Sequence, residues 1–295
     1  MALEEGLALD APQHHASDTG NEPRVASLCI TAYALWALGY PDQALQRCQA
    51  ALTFAQECSH PFSLAFALYG TTRLHHCRRE VAATQKYATT LIALSIEHGF
   101  AHRAAVGRIL QGWALAEQGQ GQEGIAQIRQ GLAAHHATGA QLYRPYSLSI
   151  LAEACGKAGQ ADEGLIALTE AFSAVLSTAE RANEAELYRL KGQLTWQKLL
   201  GAGAKLQVEM STESGDRSAE SGVEESFWQA LEIARHQQAK SLELRATMSL
   251  CRLWQQQGKH REAYELLTPI YGWFTEGFAT ADLQQAKVLL AELAG

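Results

Sequence analysis

Histidine and cysteine are the residues of this sequence that could build a metal site. Adjacent histidines occur three times, at His14 and His15, His75 and His76, and His135 and His136. A zinc site needs three or four converging ligands, and neighbouring helical residues point about 100° apart, so each pair supplies one ligand per face. His98 and His102 have HxxxH spacing, but Gly99 interrupts the helix between them. The ligand geometry therefore predicts no metal.

Nucleophiles, paired acids and phosphate-binding loops can be examined in the same way. Cys77 follows His76, but a His-paired thiol needs proximity in space, and no GxSxG elbow occurs. The acidic pairs at 4–5 and 224–225 lie at helix starts, where the helix dipole explains them. The stretches GQGQEG, GKAGQ and GAGAK lack the P-loop spacing and a preceding strand. We predict no enzyme, no catalytic residue and no cofactor.

Composition restricts the partners and the compartment. Lys and Arg number 24 against 31 Asp and Glu, a net charge of −7 that disfavours nucleic acid and anionic membranes. The acidic N-terminus does not resemble an export signal, and the longest apolar run is too short to span a bilayer. Six scattered cysteines without a CxxC pair suit reduced core thiols. We expect a cytoplasmic protein without membrane contact.

The elements that must position any site are helices, because the chain repeats. Five segments each end one apolar helix, turn, and begin another, with predicted turns at Gly39, Arg78, Gly119, Gly159 and Gly258. Small residues recur five positions after each turn, where two helices must approach closely, at Ala44, Ala83, Gly124, Gly164 and Ala263. This pattern resembles a tetratricopeptide repeat lengthened to about 40 residues. It predicts an all-α, tetratricopeptide-like right-handed superhelix.

Six helix hairpins and a closing helix account for the solenoid, which spans residues 24–295. The predicted hairpins are 24–58, 60–98, 101–138, 141–178, 180–238 and 239–277, with a capping helix over about 280–293. Residues 201–222 carry Gly, Ser and charge, and they predict an inserted flexible loop. Residues 1–23 predict a partial repeat helix and loop, which suggests that the chain begins inside a longer array and has a sticky edge at Leu3, Leu7 and Leu9.

Beyond the generic repeat, the whole chain resembles the C-terminal helical region of bacterial adenylate or guanylate cyclase-type signalling ATPases. The strings that carry the resemblance are ALWALGYPDQALQRCQAAL, CSHPFSLAFAL, GWALAEQGQGQEGIAQIRQGLAAHHATGA, AELYRLKGQL and TPIYGWFTEGFATADLQQAK. In that family a cyclase or other effector domain and a P-loop ATPase module precede the repeats. The resemblance implies a regulatory and interaction region, since neither motif set is present in this sequence.

The repeat register predicts which side chains line the concave groove. If the turn residue is position 15 of a repeat, then positions 2, 5, 9 and 12 of each first helix face inward. The predicted groove residues are Tyr33, Trp36, Thr72, His75, Trp113, Tyr146, Glu153, Arg189, Trp196, Arg252 and Gln255. Trp36, Trp113 and Trp196 could instead fill the seam between hairpins. We expect Arg189 and Arg252 to contact a partner while contributing little to stability.

Two functions remain open at this point. One is a non-catalytic scaffold that binds a protein or peptide in the concave groove, as the regulatory region of a bacterial cyclase or ATPase signalling protein. The other is a small-molecule-sensing arm that controls an attached or separate ATPase or cyclase module. A compact pocket with charged groups would favour the sensor.

Overall fold

The computed structural model describes residues 22–206 and 213–295, with the side chains of 202–206 and 213–220 left undescribed. All regular structure in these residues is helical, in thirteen helices. The helices are α1 Pro23–Ala37, α2 Pro41–Glu57, α3 Pro61–Cys77, α4 Val81–Glu97, α5 Ala101–Glu117, α6 Gly121–Ala137, α7 Arg144–Lys157, α8 Ala161–Thr178, α9 Glu184–Leu206, α10 Glu213–His236, α11 Lys240–Gln256, α12 His260–Trp273 and α13 Ala281–Ala294. These helices form the six predicted hairpins and the closing helix, so the predicted all-α repeat architecture is confirmed.

Residues with a left-handed backbone recur every 40 residues, in one series inside the hairpins and in another between them. The turns inside the first four hairpins have positive φ at Gly39, Arg79, Gly119 and Gly159. The connections between hairpins have positive φ at Ser59, Gly99, Gly139 and Ala179. Glycine adopts this conformation without steric cost, and proline at the first turns of α1, α2 and α3 presets the helical φ. The sequence signals for helix ends are therefore confirmed at most boundaries.

The second hairpin departs from the predicted register by one residue. Its left-handed residue is Arg79 (φ 61°), whereas Arg78 is right-handed. The buried small position therefore falls on Thr84, which is fully buried, and Ala83 is only half-buried. The placement of the turn at Arg78 and of the small residue at Ala83 was wrong because the pattern search relied on glycine, and an arginine takes glycine's place here.

The predicted insertion over 201–222 is largely helical. Helix α9 continues to Leu206 and α10 begins at Glu213, so only residues 207–212 of the predicted loop are not described as helix, and they lie outside the described residues. A formed helix extends at little further cost, which explains why α9 continues into the predicted loop as far as Leu206. Residues 1–21, with Leu3, Leu7 and Leu9, also lie outside the described residues.

The two helices of the third hairpin approach most closely at glycine. A Cβ on Gly124 in α6 would lie 2.5 Å from the carbonyl oxygen of Gly112 in α5. A Cβ on Gly112 would lie 2.7 Å from the carbonyl oxygen of Gly124. Each glycine is thus required by the backbone opposite it. First helices also pack on the first helix of the next hairpin, which places them on the inner side of the curved array.

The array curves until its first and last hairpins touch. The backbone N–H groups of Asp42 and Gln43 donate to Glu276 Oε1 at 2.9 and 3.0 Å, and Gly277 N–H donates to Asp42 Oδ2 at 2.9 Å. Ser241 Oγ donates to the carbonyl oxygen of Trp36 at 2.5 Å. These contacts join residues more than 200 positions apart, so the inner surface is enclosed rather than open along its length.

Two further predictions concern the cysteines and the membrane. All six cysteines are unpaired, and five of them are buried; Cys58 is half-buried. Among the described helices, none combines the length and apolar character that crossing a bilayer requires.

Candidate ligand-binding site

The centre of the inner surface is occupied by a network of buried charges built around Arg79. Its guanidinium donates to Glu153 of α7, and it lies 4.0 Å from Glu186 of α9 and 3.7 Å from Asp282 of α13. One arginine thus connects three carboxylates from three other helices. We call Arg79 and these carboxylates, together with Arg189 and Arg245, the central network.

Two further arginines complete the charge balance of the central network. Arg189 forms a bidentate pair with Glu186, at 2.9 and 2.6 Å. Arg245 contacts Asp282 at 2.8 Å and donates to the carbonyl oxygen of Cys77 at 2.5 Å. Burial of an ion costs several kcal/mol unless it is paired, so each charge here depends on the others.

Neutral groups seal the central network on one side. Trp113 Nε1 donates to Glu153 Oε2 at 3.1 Å, and the Tyr146 hydroxyl lies 2.8 Å from His76 Nδ1. Burial lowers the pKa of His76 to about 3, against the attraction of Glu153. Burial raises the pKa of Glu153, but Arg79 and His76 outweigh it, and the pKa is lowered to about 2. Glu153 is ionised and His76 is neutral at pH 7.

The chemistry of these buried groups is that of a structural network. A general acid or base needs a pKa near the working pH, and neither Glu153 nor His76 has one. Thiols are equally unreactive, because burial raises the pKa of Cys77 to about 11 and that of Cys48 to about 12. No group of three His, Cys, Asp or Glu side chains converges as a metal site within residues 22–201 and 221–295, whose side chains the structure describes.

Beside the central network lies a compact cavity of about 100 Å³. Its walls come from α1, α3 and the residue before α7, and we call it the aromatic pocket. The lining residues are Cys29, Ile30, Tyr33, Phe66, Tyr69, Gly70, Arg73, Leu74 and Tyr143. The guanidinium carbon of Arg73 lies 3.7 Å from the centre of the Tyr33 ring, 4.8 Å from that of Tyr146 and 5.3 Å from that of Tyr143.

One wall of the aromatic pocket has a strained backbone that neighbouring contacts hold in place. Tyr143 has a left-handed backbone (φ 67°), which is uncommon for an aromatic residue. Its N–H donates to Glu180 Oε2 at 2.9 Å, and its ring centre lies 5.4 Å from that of Tyr69. Strained residues of this kind are found at ligand sites more often than elsewhere.

A second, larger opening lies at the C-terminal end, between α11 and α13. It is an open cleft of about 440 Å³, which we call the glutamine cleft. Its lining residues are Arg252, Gln255, Gln256, Gln284, Gln285, Val288, Leu289 and Glu292. Arg252 and Gln255 bridge the two helices through hydrogen bonds of 3.1 Å to Gln285 and 3.2 Å to Glu292.

The predicted groove residues separate into three sets. Buried positions are occupied by Trp36, Thr72, His75, Trp113, Tyr146 and Arg189. Half-buried positions are occupied by Tyr33, Glu153 and Trp196, with Tyr33 in the aromatic pocket, Glu153 in the central network and Trp196 packed on Val223 and Phe227. Arg252 and Gln255 line the glutamine cleft. These residues therefore do not form a single continuous groove.

Arg189 requires a correction. It is 7% exposed and pairs with Glu186, which is also 7% exposed, so it is not a surface residue. Its removal would strand a buried carboxylate and lower stability, contrary to our expectation. The prediction failed because register identifies the inward direction of a side chain but not whether the interior is filled.

Arg73 and Arg103 are absent from the predicted groove set. Arg103 of α5 is 8% exposed, and its guanidinium carbon lies 4.6 Å from the Phe66 ring centre and 5.0 Å from that of Tyr69. Burial lowers the pKa of Arg103. Arg73 was missed because the turn was placed one residue early: with the left-handed residue Arg79 as position 15, Arg73 falls at the inward position 9.

Comparison with known proteins supports the fold. No protein family model matches the chain, and no curated protein matches it by sequence. The apo form of RapI matches with a TM-score of 0.57 and 10% identity, over 98% of this chain and 89% of RapI. A monomeric mutant of IFIT1 with Gppp-AAAA matches with a TM-score of 0.51 and 14% identity, over 98% of this chain and 67% of IFIT1. The chain shares a helical-repeat solenoid fold with both.

Proposed function

We propose that this chain is a non-catalytic helical-repeat scaffold that binds a protein partner in the glutamine cleft. The observation that carries the proposal is the contrast along the inner surface. Most inward residues of the first five hairpins are buried against one another, whereas Arg252 and Gln255 of the sixth line an open cleft. At about 440 Å³ this cleft is larger than the aromatic pocket, at about 100 Å³.

The composition of the glutamine cleft favours an extended polypeptide. Gln255, Gln256, Gln284 and Gln285 each carry an amide that can both donate and accept, which matches the alternating groups of a peptide backbone. Val288 is 57% exposed at the same surface and offers an apolar contact for a partner side chain. Arg252 can pair with an acidic residue of the partner.

A non-catalytic role is supported by the state of the buried reactive groups. Glu153, Glu186 and Asp282 are each paired with arginine, and the pKa of the buried thiols is raised by burial. None of these groups has the unpaired, near-neutral character of a catalytic acid, base or nucleophile.

The sequence resemblance supports a place for the scaffold in bacterial cyclase or ATPase signalling. We propose that the partner is a cyclase or ATPase module, attached or separate. The test is a titration of the purified chain with a class III cyclase domain and with a P-loop ATPase module of the resembled family, followed by calorimetry and nucleotide turnover. Association with either module, with changed turnover, is the expected result; no association with either contradicts this partner assignment.

Two matched charge reversals locate the surface. Arg252→Glu alters the glutamine cleft, whereas Arg261→Glu alters α12, where the Arg261 side chain is 87% exposed and pairs with Glu265 of the same helix. We expect Arg252→Glu to weaken module binding about tenfold or more and Arg261→Glu to leave it unchanged. Equal effects of both variants would place the partner elsewhere.

A second candidate function is favoured by the aromatic pocket. A sensing arm needs a compact pocket with charged groups, and this cavity contains Arg73 beside four aromatic rings. The pocket joins α1 and α3 to the residue before α7, so an occupant would connect three hairpins. Ligand binding there would stabilise one curvature of the array, which is how a sensing arm could act on a module.

A further inference from the structure

The aromatic pocket permits a more specific inference, which rests on the second candidate function. We propose that it binds a carboxylate carried on a small apolar body, with Arg73 as the anchoring residue and Arg103 as a second positive charge behind the wall. The argument uses the charge balance of the described residues, the walls of the pocket and its volume.

The lack of an ion pair with any described residue distinguishes Arg73 and Arg103 from the other buried and half-buried arginines named above. Among the described residues, no carboxylate oxygen lies within 4.0 Å of Arg73 or Arg103, whereas Arg78, Arg79, Arg189 and Arg245 each have one. The Nε of Arg73 and the Nη1 of Arg103 are buried, and within that same part of the chain neither has a hydrogen-bond partner. A buried donor without an acceptor is costly, and Arg73 lines the cavity, so an anionic ligand there would supply an acceptor for Arg73 Nε.

The aromatic walls favour a charged ligand with an apolar body. Tyr33, Tyr143 and Tyr146 surround the Arg73 guanidinium at 3.7 to 5.3 Å from their ring centres, and such contacts hold a cation without using its N–H donors. Ile30, Phe66 and Leu74 complete the lining with apolar surface. Burial raises the pKa of the Cys29 thiol, so this wall residue is neutral and does not repel an anion.

The volume and a nearby acid restrict the charge and size of the ligand. The cavity of about 100 Å³ corresponds to roughly three or four water molecules at liquid density, which suits a carboxylate with a short apolar stem. Glu180 accepts from the Tyr143 N–H beside the pocket and adds a negative charge. A monoanionic, planar carboxylate therefore fits better than a phosphate dianion, and it matches the two parallel donors of a guanidinium.

Two sources could present this chemistry. One is a free small carboxylic acid, and the other is the C-terminal carboxylate of a peptide. Butyrate is the probe for the first source, with butyramide as the neutral compound of the same shape and inorganic phosphate as a different anion. The tripeptide acetyl-Gly-Gly-Val with a free C-terminus is the probe for the second, with its C-terminal amide as control.

Calorimetric titration of the full chain tests the site. We expect butyrate to bind at one site, with a Kd of about 1 mM as suits so small a ligand, and butyramide and phosphate to show no binding. If the peptide binds more tightly than butyrate and its amide does not bind, the source is a polypeptide terminus; the reverse order assigns a free acid. Absence of binding by both carboxylates up to about 50 mM, or preference for phosphate, would overturn the proposal.

Two variants of the anchor keep the result interpretable. Arg73→Met is expected to abolish butyrate binding while leaving the melting temperature unchanged or higher, because it removes a buried charge without a carboxylate partner. Arg73→Lys keeps the charge but lacks the fork of donors, and we expect about a tenfold weaker affinity. Butyrate binding that survives both substitutions would overturn the assignment of Arg73.

The two proposals fail separately. Arg252→Glu changes the glutamine cleft without touching the aromatic pocket, so butyrate binding should persist in that variant. If butyrate binds but does not alter module binding or turnover, the pocket is a carboxylate site and the sensing function is wrong. If module binding occurs and butyrate does not bind, the carboxylate inference alone is overturned.

Discussion

Arg79 Nε lies 3.7 Å from Asp282 Oδ1 and thereby connects the turn of the second hairpin to the closing helix. The contact bridges four intervening hairpins, so the stability of the second hairpin and that of the closing helix depend on each other. In an ordinary solenoid each repeat contacts only its neighbours. Here the central network makes the array behave as one cooperative unit.

Removing the arginine at the hub of the central network should destabilise the protein. Arg79→Gly relieves a left-handed backbone that costs about 1 kcal/mol, but it leaves Glu153 and two other buried carboxylates with less positive charge, a loss of about 3 to 5 kcal/mol. We expect a net loss of about 3 kcal/mol in urea unfolding. Gly119→Arg is the control, since it places arginine in the equivalent left-handed turn with open space around it and should cost only about 1 kcal/mol. Equal stability of Arg79→Gly and the wild type would contradict the hub assignment.

Acid should destabilise the fold from about pH 6.5 downward. The folded pKa of His76 is about 3, below its ordinary value of 6.5, so the unfolded chain binds the extra proton between these values and stability falls as pH falls. Glu153, with a folded pKa of about 2 against 4.5, adds a second loss between pH 4.5 and 2. Each group contributes a slope of at most about 1.4 kcal/mol per pH unit.

His76→Gln tests the upper part of this profile. Glutamine cannot titrate, so the slope of unfolding free energy between pH 6.5 and 4.5 should decrease by up to one proton equivalent. His260→Gln changes an exposed histidine outside the central network and is the matched control. The interpretation is wrong if both variants keep the wild-type slope in urea titrations at several pH values.

The predictable part of the fold was the periodic backbone. Gly39, Gly119 and Gly159 predict turns because glycine alone adopts left-handed φ without strain. Their spacing, in multiples of 40 residues, predicts where the helices between them begin and end. Arg79 has the same left-handed conformation without a glycine to indicate it, so the predicted repeat register of the second hairpin is wrong by one residue. Its backbone is held by ion pairs to distant helices, which no local pattern contains.

The site was less predictable, for a related reason. Repeat register predicts the direction of a side chain, but whether an inward side chain is free depends on how far the array curves. Arg189 and Arg252 both belong to the predicted inward set of successive first helices, yet Arg189 is 7% exposed and Arg252 is exposed. The curvature of the array is the sum of many small rotations between hairpins. It brings Asp42 of the first hairpin to Gly277 near the end of the chain, and no local sequence pattern contains that contact.

The close approach of α5 and α6 predicts a specific packing defect. Gly124→Ala adds a Cβ 2.5 Å from the Gly112 carbonyl oxygen, so the helices must separate, at a cost of about 1 to 3 kcal/mol. Gly272→Ala is the control, because that helical glycine has open space around it, and alanine there should stabilise by about 0.5 to 1 kcal/mol. Thermal unfolding of both variants measures the difference; a neutral Gly124→Ala would show that the helices tolerate wider spacing.

Closure of the array can be tested at Gly277, which meets Pro41 of the first hairpin. An alanine Cβ at 277 would lie 2.1 Å from Pro41 Cγ and would also face a positive φ of 76°. Gly258→Ala matches it closely, since Gly258 has the same φ but no atom within 4 Å of the added Cβ. Both variants incur the backbone cost, and only Gly277→Ala separates the first hairpin from the last.

We therefore expect an increased radius of gyration by X-ray scattering in Gly277→Ala alone, because loss of the Asp42 contact lets the array uncurl. An unchanged radius in Gly277→Ala, or an equal increase in Gly258→Ala, would show that the contact between the end hairpins does not hold the array closed.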